Sequence, residues 1–456
     1  MNIPGCEGHL ASLPEILDRR EQRAQRQMSL LQQGPCVVSF FMNIPGALKS
    51  FPLAAAGFEE GLSQIRKAIP KTCQLNCLRS GGIAGEEALL LLEADPRDIK
   101  RAMIALEESH PLGRLWDIDV LGRDAQPLSR RSFGCPRRTC LLCGQDAKIC
   151  GRSRAHTHEE LFWHAARMLD GFFRTWGADT AADCISRAMV EEVSATPKPG
   201  LVDRDNTGSH RDMDFPLFLT SIEALRPWFR EFFLLGWDNW DQSATQLFTL
   251  LRSAGVQAEQ AMFAATGGVN THKGMVFSAA ILCGALGRMH AGVLPVSLTA
   301  LREECARLGR CSLPDFESPA CPTAGLRCYR EQNVSGIRGE AASGFPAAVL
   351  ALEALREWKA QGVSQNDAAL YALLRLIAHV EDTNMIHRGG AQEAARRRTE
   401  ARDLFPVLTP ETIVPRLRQL DESYIAANLS PGGCADLLSL AMALDFLWEQ
   451  EMITMD

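Results

Sequence analysis

Glu87–Leu121, EALLLLEADPRDIKRAMIALEESHPLGRLWDIDVL, reads as a strand, a helix and a second strand in succession. EALLLLEA is an apolar run of strand length, and Asp95-Pro96 then places a side-chain acceptor at a helix N-cap and a proline in the first turn. Ile99, Ala102, Met103 and Leu106 recur at helical spacing until His110-Pro111 stops the pattern, after which Leu115 to Leu121 alternates as a strand does. Toward the N-terminus, CQLNCL from Cys73 reads as a strand, Ala54 to Ile69 as a helix and Cys36 to Met42 as another strand. The order β-α-β-β-α-β predicts a small α/β (α+β) domain, a ferredoxin-like or palm-like nucleotidyltransferase sheet with its helices on one face.

After about Asp170 long helical patterns alternate with glycine-rich polar loops, and strand-like runs become scarce. Leu437, Leu440, Ala441, Leu444, Leu447 and Trp448 fall at helical spacing and predict one buried face. The expectation is therefore two domains, an N-terminal α/β domain over 1–165 and a larger all-α domain over 176–456, joined within Arg152–Ala182.

The chain has 456 residues, 46% hydrophobic and 23% charged, with a formal net charge of -7, which is globular composition and excludes a disordered chain. Net acidity argues against a protein that coats nucleic acid, so any polyanion must be gripped locally. No apolar run approaches the roughly 18 residues of a spanning helix, and MNIPGCEGHL lacks a basic segment before an apolar core. The expectation is a cytoplasmic protein with neither a membrane nor a nucleic-acid partner. Its 15 cysteines then read mostly as reduced packing residues. Cys140-x-x-Cys143, with Cys150, His156 and His158 after it, offers enough ligands for zinc. Only one paired dyad is present, and the reading favours structural thiols in a closing loop.

Asp117 and Asp119, two apart in a strand, point to the same face. Paired carboxylates can hold Mg²⁺ whose shell is completed by substrate phosphates, and they can equally be a solvated strand edge. Arg114, Arg130, Arg131, Arg137 and Arg138 lie close in sequence and could cradle a triphosphate. HPLGRLWDIDVL (110–121), the SRR at Ser129 and PRRTCLLC (136–143) resemble the holo-citrate lyase synthase family, the phosphoribosyl-dephospho-coenzyme A transferases, over roughly the first 160 residues. The resemblance implies transfer of a prosthetic group from a triphosphoribosyl donor to a serine of the citrate lyase acyl carrier protein (gamma subunit), with release of pyrophosphate.

Five segments of the second domain combine small residues with charges. ATPKPGLVDRDNTGSHRDMD (195–214) follows a helix carrying Glu191 and Glu192 and must be a long ordered loop. It offers Lys198, Arg204, Asn206 and His210 for phosphate, and Asp203, Asp205, Asp212 and Asp214 for metal or base work. ATGGVNTHKG (265–274) places Gly267, Gly268, Asn270, His272 and Lys273 before an apolar helix, a turn suited to an anion at a helix N-terminus. GIRGEAASGFP (336–346) carries Arg338 and Glu340, EDTNMIHRGG (381–390) carries Asp382, Asn384 and Arg388, and SPGGCADLL (430–438) carries Asp436. Glycine and charge are ordinary at helix ends, but five such loops in one domain suggest a shared pocket.

These segments are similar to the triphosphoribosyl-dephospho-coenzyme A synthase family from about residue 180 onward. The resemblance implies an all-α enzyme that joins ATP to 3′-dephospho-coenzyme A and expels adenine. The whole chain then reads as a bifunctional enzyme that makes and transfers the citrate lyase prosthetic group. Displacement at ribose C1 calls for negative charge near the sugar and proton donors and acceptors around it. Asp203, Asp205, Asp212, Glu340 and Asp382 are the candidates for this work, with Lys198, Lys273, Arg338 and Arg388 on the triphosphate. Mg²⁺ is expected on Asp203 and Asp382 here and on Asp117 and Asp119 in the first domain. Two alternatives stay open: the same chemistry serving the malonate decarboxylase carrier protein, and a non-catalytic module that binds a nucleotide or a carrier protein.

Overall fold

Four short runs pair into an antiparallel sheet in the order β2-β3-β1-β4: β1 (Cys36–Met42), β2 (Gln74–Ser80), β3 (Glu87–Leu92) and β4 (Trp116–Leu121). The computed structural model describes residues 3–292, 295–317 and 324–455. Strand partners share a face, so Val38, Leu90 and Val120 lie on one side, and Ser39, Leu89 and Asp119 on the other. Helices α2 (Pro52–Ala68) and α3 (Pro96–Ser109) cover the first side, where Phe58 stacks on Phe40 at 4.9 Å and Trp116 Nε1 donates to Gly57 O at 3.2 Å. Asp95 caps α3 by accepting from Arg97 N at 2.7 Å.

The other side is not bare, as helices on a single face would leave it. Helix α1 (Leu13–Leu31) lies against it, with Leu30 and Leu31 clustering on Val37, Leu89 and Leu91. Arg23 sits over the Phe41 ring at 4.0 Å, and Arg26 reaches Ser80 Oγ at 2.7 Å and pairs with Glu87. Leu30 is the one residue that α1 fully buries, so arginine contacts supplement a thin apolar seam.

Two compact units divide the chain, Met1–Thr175 with Gly292–Leu294, and Trp176–Ala291 with Pro295–Asp456. Helix α4 (Ala147–Ser153) belongs to the first, and α5 (His158–Ser194) runs through the division at Thr175. The second unit is built from α6 (Phe215–Asp238), α7 (Ala244–Ala265), α8 (Lys273–His290), α9 (Leu298–Arg310), α10 (Ala324–Gln332), α11 (Gly336–Ala342), α12 (Pro346–Lys359), α13 (Gln365–His379), α14 (Thr383–Leu404), α15 (Ile413–Ala426) and α16 (Gly432–Glu449). Among its described residues the only strands are β5 (Val296–Ser297) and β6 (Ile453–Thr454), paired in parallel.

Helices α6 and α8 approach closely because glycines meet backbone: a Cβ on Gly287 would lie 2.0 Å from Phe233 O, and one on Gly236 2.1 Å from Gly284 O. Helix α16 corrects the expectation of one buried face. Leu437 to Leu447 is buried all round, as befits a helix enclosed by its neighbours, while Trp448 is 40% exposed under the Arg356 guanidinium at 4.0 Å. Asp445 is the charged exception within that stretch and pairs with Lys359 at 2.6 Å.

Candidate functional site

The loop over 195–214 folds around two aspartates. Asp203 Oδ2 accepts from Thr196 Oγ1 and Lys198 N, both at 2.9 Å, and Oδ1 accepts from Asp205 N at 2.8 Å and Asn206 N at 3.0 Å. Asp421 on α15 accepts from Gly200 N and Asn206 Nδ2, each at 2.9 Å. Held this way, the loop turns Lys198 inward, where it is 1% exposed and its Nζ stands 2.5 Å from Glu192 Oε1. Burial raises the Glu192 carboxyl, and the Lys198 ammonium opposes that rise.

Lys198 and Glu192 line a cavity of about 990 Å³ to which all five glycine-bearing segments contribute. His210 comes from the first loop, Asn270, His272 and Lys273 from the second, and Arg338 and Glu340 from the third. Asp382, Asn384 and Arg388 come from the fourth, and Asp436 from the fifth. Ligand pockets commonly run from about 300 to 1,000 Å³, so this one lies at the upper end of that range.

Two of the lining histidines, His210 and His272, are shifted toward the neutral form. His272 is buried, and burial with the nearby Lys198 charge lowers it to about 3. Thr271 Oγ1 donates to Ser221 Oγ at 2.7 Å, and Ser221 Oγ in turn is hydrogen-bonded to His272 Nδ1 at 2.8 Å. Arg388 Nη2 donates to His210 Nδ1 at 3.3 Å, leaving His210 Nε2–H to donate to Ser430 Oγ at 2.9 Å. Burial and the Arg388 charge lower His210 as well. The two rings thus serve as hydrogen-bonding groups rather than as positive charges. Arg388 also ties Ser209 O at 2.9 Å to Asn428 Oδ1 at 3.2 Å, which makes it a brace of the loop. More accessible cations sit at Lys273, half exposed and 2.9 Å from Glu259, and at Arg338, 3.3 Å from Asp315.

The carboxylates lie deeper. Asp382 caps α14, its Oδ1 accepting from Asn384 N at 2.8 Å and Met385 N at 3.1 Å, while Oδ2 accepts from Cys434 N at 2.9 Å. Burial raises it in spite of those three donors. Glu340 is raised by burial and accepts from Ala347 N at 3.1 Å. Asp436 is raised well above the carboxylate range, first by burial and then by the charges of Glu192 and Asp382. A Cβ on Gly274 would lie 2.1 Å from Asp436 Oδ2, so only glycine lets the first turn of α8 approach that carboxyl.

Several expected residues lie outside the lining. Asp203 and Asn206 are absorbed by loop hydrogen bonds, and Arg204, Asp205, Asp212 and Asp214 are exposed, Asp214 capping α6 through Leu217 N at 3.0 Å. Gly267 and Gly268, at φ +65° and +92°, end α7, where Gly268 N donates to Phe263 O at 2.8 Å.

In the first unit Asp117 and Asp119 share the α1 side of the sheet. Burial and the neighbouring Asp119 charge raise Asp117, while Arg138 and Arg23 pull it down. Arg138 Nη1 donates to Trp116 O at 2.7 Å and its other arm pairs with Glu107, and Arg114 donates to Thr139 O. Arg130 pairs with Glu108, and Arg137 stands 3.6 Å from Asp146.

Residues 178–454 match the family model of ATP:dephospho-CoA triphosphoribosyl transferase, and residues 11–172 that of apo-citrate lyase phosphoribosyl-dephospho-CoA transferase. Protein CitXG of Haemophilus influenzae is 34% identical over 96% of both chains, and Protein CitXG of Leuconostoc mesenteroides is 33% identical over 96% of this chain and 97% of its own. The chain belongs to the ATP:dephospho-CoA triphosphoribosyl transferase family. It is an enzyme in which that transferase is fused to an apo-citrate lyase phosphoribosyl-dephospho-CoA transferase. The 2-(5''-triphosphoribosyl)-3'-dephosphocoenzyme-A synthase of Pectobacterium atrosepticum is 43% identical over 57% of this chain and 86% of its own.

For this triphosphoribosyl transferase the sequence reading names Glu192 and Asp436 without giving them a role and omits Ser221 and Asp421, and for the fused partner it omits Arg23. Asp436 carries a visible signal, an acid just after Gly432-Gly433 at a helix start. Ser221 and Asp421 carry none, because each acts through a contact distant in sequence.

Proposed function

We propose that the second-unit cavity joins ATP to 3′-dephospho-coenzyme A and releases adenine, and that the first unit passes the product to the citrate lyase acyl carrier protein with release of pyrophosphate. The observation that carries the reading is the convergence of five separate segments on one cavity, with cations at its accessible positions and carboxyls in its depth. Lys273 and Arg338 bind the triphosphate. Asp436, kept protonated by burial and by its acidic neighbours, gives its proton to the departing adenine. Glu340, raised by burial, takes the proton of the incoming 2′-hydroxyl. Charge on the ribose at the oxocarbenium-like stage is balanced by Asp382.

Mg²⁺ fits this inventory by the chemistry of its donors, since Asp382, although it also takes a hydrogen bond from the Cys434 thiol, is a carboxyl lining the cavity, and one or two carboxylates with substrate phosphates suffice for that ion. Bound there, it would neutralise the triphosphate. Asp203, whose oxygens accept four loop donors, is assigned to loop shape instead.

In the first unit Asp117 and Asp119 would hold Mg²⁺ against the α-phosphate while Arg138 and Arg23 receive the pyrophosphate. The strand order of the sheet supports a ferredoxin-like fold, as palm-type nucleotidyl transfer domains have. The family description that matches residues 11–172 favours citrate lyase over malonate decarboxylase as the source of the acceptor. A cytoplasmic setting is supported by the cysteines, none of which is in a disulfide among the described residues, and by the lack there of a helix long and apolar enough to cross a membrane. The test is chromatographic detection of adenine from ATP and dephospho-coenzyme A. Release by Asp436→Asn at the unmodified rate would refute the acid assignment, and no release by the unmodified chain would refute the activity.

A further inference from the structure

We propose that Cys140, Cys143, Cys150 and His156 bind a structural Zn²⁺ that clamps the segment following β4. One ligand atom from each of the four lies within 4.8 Å of all the others, although the sequence shows only a single Cys-x-x-Cys dyad. The fold supplies the remaining pair, Cys150 from α4 and His156 from the turn before α5. His158 is not part of the group.

Three further observations point to a metal rather than to idle thiols. Cys143 Sγ and Cys150 Sγ are 4.0 Å apart, far beyond a disulfide bond of about 2.05 Å. Ligands around a tetrahedral zinc, at about 2.3 Å for sulfur and 2.0 Å for nitrogen, stand roughly 3.5–3.8 Å from one another, close to the spacing found. His156 Nε2 is buried and has no hydrogen-bond partner, an unusual state for a polar atom unless it is a ligand. The Cys140–Cys143 turn is also preformed, with Cys140 N donating to Gln145 O at 2.7 Å and Leu142 N directed at Cys140 Sγ at 3.4 Å.

Three thiolates and one imidazole form a closed shell with no position for water or substrate, which marks a structural site and selects zinc over harder ions. Binding releases the thiol protons and leaves no other product. The clamp has an address. Ala147 N donates to Arg138 O at 3.0 Å and Arg114 donates to Thr139 O, so the arginines beside Asp117 are mounted on this knuckle. That consequence rests on the function proposed above, whereas the metal site does not.

The test is zinc content of the full chain, purified without chelator and measured by atomic emission. One zinc per chain is expected, with near-complete loss in Cys143→Ala and His156→Ala and full retention in His158→Ala. His156→Cys, which keeps four ligands, should retain zinc and, after cobalt exchange, show the absorption of tetrahedral thiolate coordination. It decides the matter if the alanine variants do not fold. An unmodified chain that takes up no zinc even on anaerobic reconstitution, or a His156→Ala chain that binds as much as the unmodified one, overturns the proposal. Carrier loading should fall with the metal while adenine release does not. Unchanged loading by a zinc-free chain would remove the link to Arg138 and leave the site standing.

Discussion

The two units assemble their acidic groups by different routes. In the first, Asp117 and Asp119 come from one strand, and the two-residue repeat of β structure is enough to place them side by side. In the second, Glu192, Glu340, Asp382 and Asp436 come from four helix ends or loops, and only the packed helices bring them to one cavity. Protonation follows the same division only in degree. Burial and acidic neighbours raise both Asp117 and Asp436, but Asp117 has Arg138 and Arg23 to oppose the rise and Asp436 has no such cation. A carboxyl with arginines beside it is partly held against neutralisation, and one sunk among acids is not.

The largest effect expected is a separation of activities. Asp436→Asn should lower adenine release by about 10²–10⁴-fold, the range of a general acid, and leave loading from supplied intermediate intact. Asp117→Asn should do the reverse. Joint loss in either variant, measured by chromatography and by mass of the carrier protein, would break the contrast between the units.

Next comes Lys198→Met, which strands the Glu192 carboxylate in the interior. Breaking a buried pair from one side costs about 3–5 kcal/mol, so calorimetry should show the second unit unfolding earlier and the first unchanged. A smaller effect concerns His290, buried with Nε2 donating to Met452 O at 2.9 Å and lowered to about 4 by burial. Unfolded, the ring titrates near 6.5. Between those values the unfolded chain binds the extra proton, so the stability linked to the neutral ring is whole above about 6.5 and is lost as pH falls toward 4. From pH 7 to 5 the unmodified chain should therefore lose about 2 kcal/mol more than His290→Gln in urea titrations. Least of all, Ser12→Ala should cost about 1 kcal/mol by removing the α1 cap, seen as faster amide exchange confined to that helix.

What the sequence made legible follows the same contrast. β1 to β4, α2 and α3 are marked by runs and caps that are local: strand-length apolar stretches, Asp95-Pro96, and His110-Pro111. Helix α1 passes unnoticed because Leu30 alone is fully buried and no apolar stripe forms, although Ser12 and Glu15 form a capping box with Glu15 accepting from Ser12 N at 2.8 Å. In the second unit the glycine-bearing loops stand out by composition, yet composition does not separate a loop's scaffold from its lining. Asp203 and Glu340 look equally catalytic as residues, but the first is consumed by four hydrogen bonds of its own loop and the second faces the cavity. The pairing of Lys198 with Glu192 escapes for the same reason, since nothing in KPG announces that the lysine will be enclosed.

The parallel pairing of Val296 with Ile453 has a consequence for how the chain is made. A strand near residue 296 must wait for one at 453, and the loop at Gly200 waits for its acceptor on Asp421, so the helical unit cannot close until Ile453 has been translated. The four-stranded sheet has no such debt, because all of its pairings lie between Cys36 and Leu121. With about 280 residues between Thr175 and Ile453 added at roughly 5–20 per second, it has on the order of 15–60 seconds on the ribosome to fold before its neighbour can close. The sheet of the enzyme that consumes the intermediate can thus form before the helical unit that produces it closes.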